Sequence, residues 1–258
     1  MEEELDPFEA FNRSVGAGIV SDPYPDFVEM RKVGVTKADL LQLMGLAPDA
    51  DPGFDLSEAP PVFTVSSYDA VSEVLRDGRR FSSSGYAEVM GAVMGHTILE
   101  MDEPEHHGYR SVIQQAFTRK AMEQWESELV GPIVDECIDS FIDTGRADLV
   151  SQLFFPFPVN VIAGLLGLPR ADLPQFHRWT VELISVSVDF EKAMNASKGL
   201  YDYLLGFVNE RRDAPGRDMI SVLATAEHEG HQLTDDEIIA FCRLLLPAGA
   251  ETTYRSSS

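Results

Sequence analysis

The chain has 258 residues, with 43 acidic against 20 basic side chains and a formal net charge of −23. So negative a surface excludes general binding to nucleic acid or anionic membranes, both of which require a positive face, and any cationic site should stand out as a local exception. The two cysteines, Cys137 and Cys242, are too few and too far apart for a disulfide framework or a zinc knuckle, so no oxidising compartment is required. The acidic opening MEEELDPFEAF is neither a signal nor a transit peptide, and the expected location is the cytoplasm.

The length admits one large domain or two small ones. Residues 1–12 read as an acidic flexible arm. In SDPYPDFVEMRKVG, Asp22 and the prolines supply helix-start chemistry, and Phe27, Met30 and Arg31 follow at helical spacing. VFTV (Val62–Val65) is a short β-type run. SSYDAVSEVLRDG then reads as a capped helix with Ala70, Val71, Val74 and Leu75 on one face and Gly78 as its C-terminal cap. The Gly- and Ser-rich stretch FSSSGYAEVMGAVMGH has no clear period and reads as a loop. Helices dominate from Asp102 onward. Met122, Trp125, Leu129, Val134, Ile138 and Phe141 trace an apolar stripe that Gly145 ends. LFFPFPVNVIAGLLGLP (Leu153–Pro169), interrupted by Pro156, Pro158 and Asn160, is short of the ~20 residues of a membrane span and reads as a buried helix over Val159–Leu168. Helical patterns continue through Phe176–Val188, Lys192–Arg212 and MISVLATAEHEG. LTDDEIIAFCRLLLPAGAETT opens with a capping box formed by Thr234 and Glu237. The expected class is mainly α with a small β component.

Two constellations carry possible chemistry. In MDEPEHHGYR, Asp102 and Glu105 form a second expected capping box around Pro104, which puts His106 and Arg110 four apart on one helix face. An imidazole and a guanidinium together can grip a carboxylate, and with Arg119 and Lys120 close behind this is the local basic exception. Taken alone, the same pattern is more simply a solvated helix face. A metal site joining EHH to His96 is not expected, because His106 and His107 point ~100° apart on a helix and no i,i+4 histidine pair exists. The second constellation is PAGAETT. Thr252 lies eighteen positions beyond Thr234, ~27 Å at helical rise. Ala248, Gly249 and Ala250 leave a smooth face, Pro247 removes one helical hydrogen bond and favours a bend, and Glu251 and Thr252 place a carboxylate and a hydroxyl beside that face. Such a pair can pass protons to a bound oxygen species, although a mid-helix threonine also commonly bonds its own i−4 carbonyl, here that of Ala248. No GxSxG or P-loop pattern is present.

In order, these pieces resemble the soluble bacterial branch of the cytochrome P-450 superfamily, the haem-thiolate monooxygenases. DPYPDFVEMRKVG looks like the family's first helix, and VFTVSSYDAVSEVLRDGRRFSS is similar to its first strand, second helix and following loop. ILEMDEPEHHGYRSVIQQAFTRK resembles the helix that contacts the haem propionates, and LTDDEIIAFCRLLLPAGAETT the long distal helix. The resemblance implies that His106 and Arg110 bind propionates of haem b. It implies that Ala248 and Gly249 make room at the distal face, and that Glu251 and Thr252 help deliver protons there. It also implies that residues 82–98 and 170–195 line or cover the pocket of a small organic substrate, and that a ferredoxin or flavin reductase docks near Arg119 and Lys120.

The family's E-x-x-R helix and its cysteine ligand loop have no counterpart in this sequence. Cys137 sits in a helical stripe and Cys242 inside the distal helix. The expectation is therefore an incomplete P-450 domain over residues 13–258, the N-terminal portion of a longer enzyme, without its axial thiolate and inactive on its own. The alternative expectation is a complete, non-catalytic helical protein that grips an anionic or apolar small molecule.

Overall fold

The computed structural model describes residues 22–38, 60–184 and 189–257, so the expected arm at residues 1–12 lies outside the described residues. The described residues form two compact units, one up to Ser82 and one from Ser83 onward.

In the smaller unit, helix α1 (Tyr24–Val33) leads through Gly34 into strand β1 (Val35–Lys37). Gly34 adopts φ +82°, a left-handed conformation that favours glycine, and the chain reverses there. Strand β2 (Phe63–Val65) pairs antiparallel with β1, with Thr36 opposite Thr64. The Ser66 hydroxyl donates to the Met30 and Gly34 carbonyls at 2.8 and 3.1 Å, tying the end of α1 to the ribbon. Helix α2 (Tyr68–Arg76) is capped by Ser67, which accepts from the Ala70 amide. Its C-terminal cap is Asp77 rather than Gly78, because the Asp77 carboxylate is held by Arg80 at 2.6 Å.

The larger unit is helical apart from one hairpin. Residues 85–94, expected as a loop, form helix α3 (Gly85–Met94), ended by Gly95 at φ +80°. Local propensity is weak there, and the helix exists because tertiary packing buries Val93 and Met94. Helix α4 (Glu105–Ile113) begins after Pro104, and the Asp102 carboxylate, expected in a capping box there, accepts from the Ser83 amide at 2.9 Å. Helix α5 (Arg119–Trp125) passes through a π-helical turn at Glu126–Val130 into α6 (Gly131–Asp139). That wide turn inserts a residue and rotates α6 about its axis, so Ile133 and Cys137 are buried whereas Val134 and Ile138, of the expected stripe, are only half-buried.

A second π turn (Val150–Phe154) leads into helix α7 (Pro156–Leu165), the expected buried helix. Helices α8 (Leu173–Ile184), α9 (Phe190–Asp213) and α10 (Met219–Thr225) follow. The hairpin of β3 (Glu227–His228) and β4 (His231–Gln232) precedes α11 (Asp235–Ser257). The Thr234–Glu237 capping box forms as expected, with the Thr234 amide donating to the Glu237 carboxylate at 2.7 Å and the Glu237 amide to the Thr234 hydroxyl at 3.3 Å. Helix α11 runs through Pro247 unbroken.

The core lies where α9, α10 and α11 meet α7, with Leu200, Leu204, Ile220, Leu223, Ile238 and Leu246 fully buried. Arg212 ties three elements together there. It donates to Asp235 at 2.6 Å and to the Ala224 and Leu233 carbonyls at 2.9 and 2.6 Å, satisfying acceptors at the end of α10 and the entry to α11. Among the described residues, no helix is long and apolar enough to cross a membrane.

Candidate functional site

Helix α11 presents two different faces. Ala250 and Tyr254 are buried, and a Cβ built on Gly249 would lie 2.6 Å from the Ile162 δ-methyl, so glycine lets α11 approach α7 closely. Ala248 and Thr252, one helical turn apart, are exposed on the other side. The Thr252 hydroxyl donates to the Ala248 carbonyl at 2.6 Å, and Glu251 pairs with Arg255 at 2.9 Å. With its only proton committed to the backbone, the Thr252 oxygen is left as an outward acceptor.

Glu251 also lines a small cavity between α7, α8 and α11, together with Phe155, Val159, His177, Thr180, Val181, Ala250 and Tyr254. The His177 ring is held by Asn160, with Nε2 2.9 Å from the amide oxygen. Burial pushes its pKa down to about 4, so it is neutral at physiological pH. Nothing about an isolated histidine in an amphipathic stretch pointed to this cavity; only the packing of α8 onto α11 reveals it.

Helix α4 carries His106 and Arg110 on one face. His106 Nδ1 lies 3.1 Å from the Glu103 carboxylate, and Arg110 is exposed, with no hydrogen bond or ion pair among the described residues. An adjoining face is fixed: Tyr109 is buried and its hydroxyl donates to the Glu237 carbonyl at 2.8 Å, docking α4 on the first turn of α11. Thus each expected group is intact on its own helix, and α4 is anchored to α11 near its start. No hydrogen bond joins the two groups among the described residues.

His96, between α3 and α4, bridges two carboxylates, Nδ1 to Glu100 and Nε2 to Glu105 at 2.7 Å. Its hydrogen bonds, with Glu105 first and Glu100 after it, raise its pKa above the ordinary imidazole value against the opposing effect of burial. The folded state therefore favours the charged ring. This small contribution is fully present below about pH 6.5 and is lost as pH rises through the raised folded value. Proton titration by NMR should place the His96 midpoint above that of a free histidine, and His96→Gln should abolish any pH dependence of amide protection, taken relative to intrinsic exchange, over residues 96–105 between pH 6 and 8.

Among the described residues, no cluster of three His, Cys, Asp or Glu side chains could hold a metal ion. Cys137 and Cys242 are both buried, and burial raises both thiols, that of Cys242 to about 12, so neither is an exposed thiolate. The residues present suit a haem in part. An unpartnered guanidinium beside an imidazole matches a carboxylate-bearing edge, and an exposed alanine–threonine turn offers a smooth surface with one acceptor.

The fold defines a class, mainly helical with a small β component, and known proteins narrow it. No family model matches the chain. It is 37% identical over 240 residues to the cytochrome P-450 YjiB of Bacillus subtilis, covering 90% of this chain and 55% of that protein. It is 31% identical over 252 residues to the cytochrome P-450 monooxygenase PikC of Streptomyces venezuelae, again 55% of that protein. The structure of substrate-free CYP109E1 from Bacillus megaterium superposes with a TM-score of 0.75 at 32% identity, covering 90% of this chain and 58% of that one. CYP109E1 has also been solved in complex with testosterone and with corticosterone. The chain belongs to the cytochrome P-450 superfamily, spans about half the length of the curated relatives it matches, and corresponds to the N-terminal part of the fold.

Proposed function

We propose that this chain supplies the distal wall and the propionate grip of a haem b pocket in a monooxygenase that inserts one oxygen atom from dioxygen into a small or medium organic substrate. The observation that carries this reading is the exposed Ala248–Thr252 turn on a helix whose opposite face is packed shut, in a chain related to P-450 monooxygenases. The haem, when bound, supplies dioxygen activation. Arg110 and His106 hold its carboxylates through charge-assisted hydrogen bonds. Ala248 gives it a flat surface, and Gly249 sets that surface by seating α11 against α7. Thr252 Oγ1 accepts a hydrogen bond from an O–H group brought to this face, and the Glu251 carboxyl, released from Arg255, carries protons inward from the α8 side.

Neither Cys137 nor Cys242 provides the axial thiolate, so the chain on its own is expected to be catalytically silent. The steroid complexes of CYP109E1 favour an apolar, medium-sized substrate. Electrons arrive from a ferredoxin or flavin reductase that meets the exposed Lys120 and Arg119, the latter paired with Glu123 at 2.8 Å.

Titrating haem into the chain and following its absorbance tests the grip. Saturable one-to-one binding is expected, weakened roughly 10- to 100-fold by Arg110→Ala, the loss of about 1.5–3 kcal/mol from a charged hydrogen bond. Binding indifferent to Arg110 overturns the assignment.

A further inference from the structure

Arg243 lies in the middle of α11, nine residues before Thr252 and therefore about half a turn away from it around the helix. It is only 8% exposed, and among the described residues no carboxylate forms an ion pair with it. Nη1 donates to the Ser197 hydroxyl of α9 at 2.7 Å and to the Val93 carbonyl of α3 at 3.3 Å, and the Ser197 hydroxyl donates to that same carbonyl. The guanidinium carbon lies 5.7 Å from the centre of the Tyr201 ring, and Nε has no hydrogen-bond partner among the described residues. A Cβ on Gly95 would fall 2.7 Å from Nη2, so the residue that ends α3 has to be small.

A buried cation without a direct ion pair is costly, here eased only at a distance by Tyr201 and the Asp236 carboxylate it bonds, and a well-packed apolar side chain is often as stable or more so. What Arg243 gains is the Val93 carbonyl. That group belongs to the last turn of α3, where carbonyls lack a helical donor and the helix dipole is negative. Helix α3 has little else to hold it, since Gly85 and Gly91 weaken it and, among its described residues, the buried side chains are Val93 and Met94. We propose that Arg243 is a positioning residue: through Ser197 and the Val93 carbonyl it latches the C-terminal end of α3 to α9 and α11. Resting on the proposed haem-pocket function, the latch sets the wall of the substrate pocket that α3 supplies.

Hydrogen exchange read by mass spectrometry on the intact chain tests the latch. Arg243→Met should speed exchange of α3 amides by about tenfold or more while leaving α9 and α10 protected and the melting temperature unlowered. Arg243→Lys, which keeps a donor for the carbonyl, should retain most of the α3 protection. If Arg243 only fills the core, methionine will serve as well as lysine and α3 will not respond, which overturns the proposal; so does a uniform loss of protection across the chain. Ser197→Ala removes one arm of the latch and leaves the direct Arg243–Val93 bond, so it should speed α3 exchange less than Arg243→Met does; a larger effect than that of Arg243→Met overturns the assignment to Arg243. In the haem-loaded, longer protein, Arg243→Met should weaken substrate binding severalfold with haem affinity unchanged. Faster α3 exchange with unaltered substrate binding would keep the latch and refute its place at the pocket.

Discussion

Glu251→Gln in the haem-loaded, longer protein is expected to lower the rate of product formation by roughly 100-fold or more, with substrate affinity unchanged. The carboxyl stands at the cavity shared with His177 and Tyr254 and is one residue from the exposed Thr252, so it can exchange protons between the α8 side and the distal face. Glutamine keeps the shape and removes the carboxyl that can give and take a proton. Its lost pairing with Arg255 involves half-exposed groups and costs little stability. Thr252→Ala should act differently: reductant continues to be consumed, but less of it ends in product, because the outward acceptor at Thr252 Oγ1 is gone. Product formed per reductant consumed, measured in both variants, separates the roles. Full coupling in Thr252→Ala would make that residue structural.

Acidification from pH 6.5 to 4 should destabilise the larger unit by about 3 kcal/mol through His177 alone. The folded-state value near 4 lies below the ordinary 6.5 because burial penalises the charged ring. Between those values the unfolded chain binds the proton and the folded one does not, so stability rises with pH across this window and is lost as pH falls through it. His177→Gln retains an amide partner for Asn160 and has nothing to titrate. Urea unfolding at pH 4.5 and 7 should show the wild-type midpoint falling more steeply than the variant's. Identical slopes would mean that His177 is accessible to water in the folded state.

These predictions draw on features of very different visibility in the sequence. The Thr234–Glu237 capping box could be read directly, because both partners lie within one turn and satisfy each other. The face shared by His106 and Arg110, and the Ala248–Thr252 turn, followed from helical spacing alone. Helix α3 did not, since its glycines argue against a helix, and the residues that bond its last-turn carbonyl, Ser197 and Arg243, lie 104 and 150 positions away from Val93. The Asp102 carboxylate, which looked like a local cap, is taken by the Ser83 amide, 19 positions earlier. The π turn at Glu126–Val130 has no compositional mark, so the stripe expected at Val134 and Ile138 was displaced to Ile133 and Cys137. Arg243, a charge within an apolar helix, gives no sign of its burial until α3 and α9 are in place.

The carbon monoxide difference spectrum of the reduced, haem-loaded chain tests most directly whether these residues form the distal side of a pocket whose axial ligand lies elsewhere. With Cys137 and Cys242 both buried in helices, haem should bind with Arg110-dependent affinity and give no thiolate-type Soret band. A thiolate-type band from this chain alone would contradict that assignment.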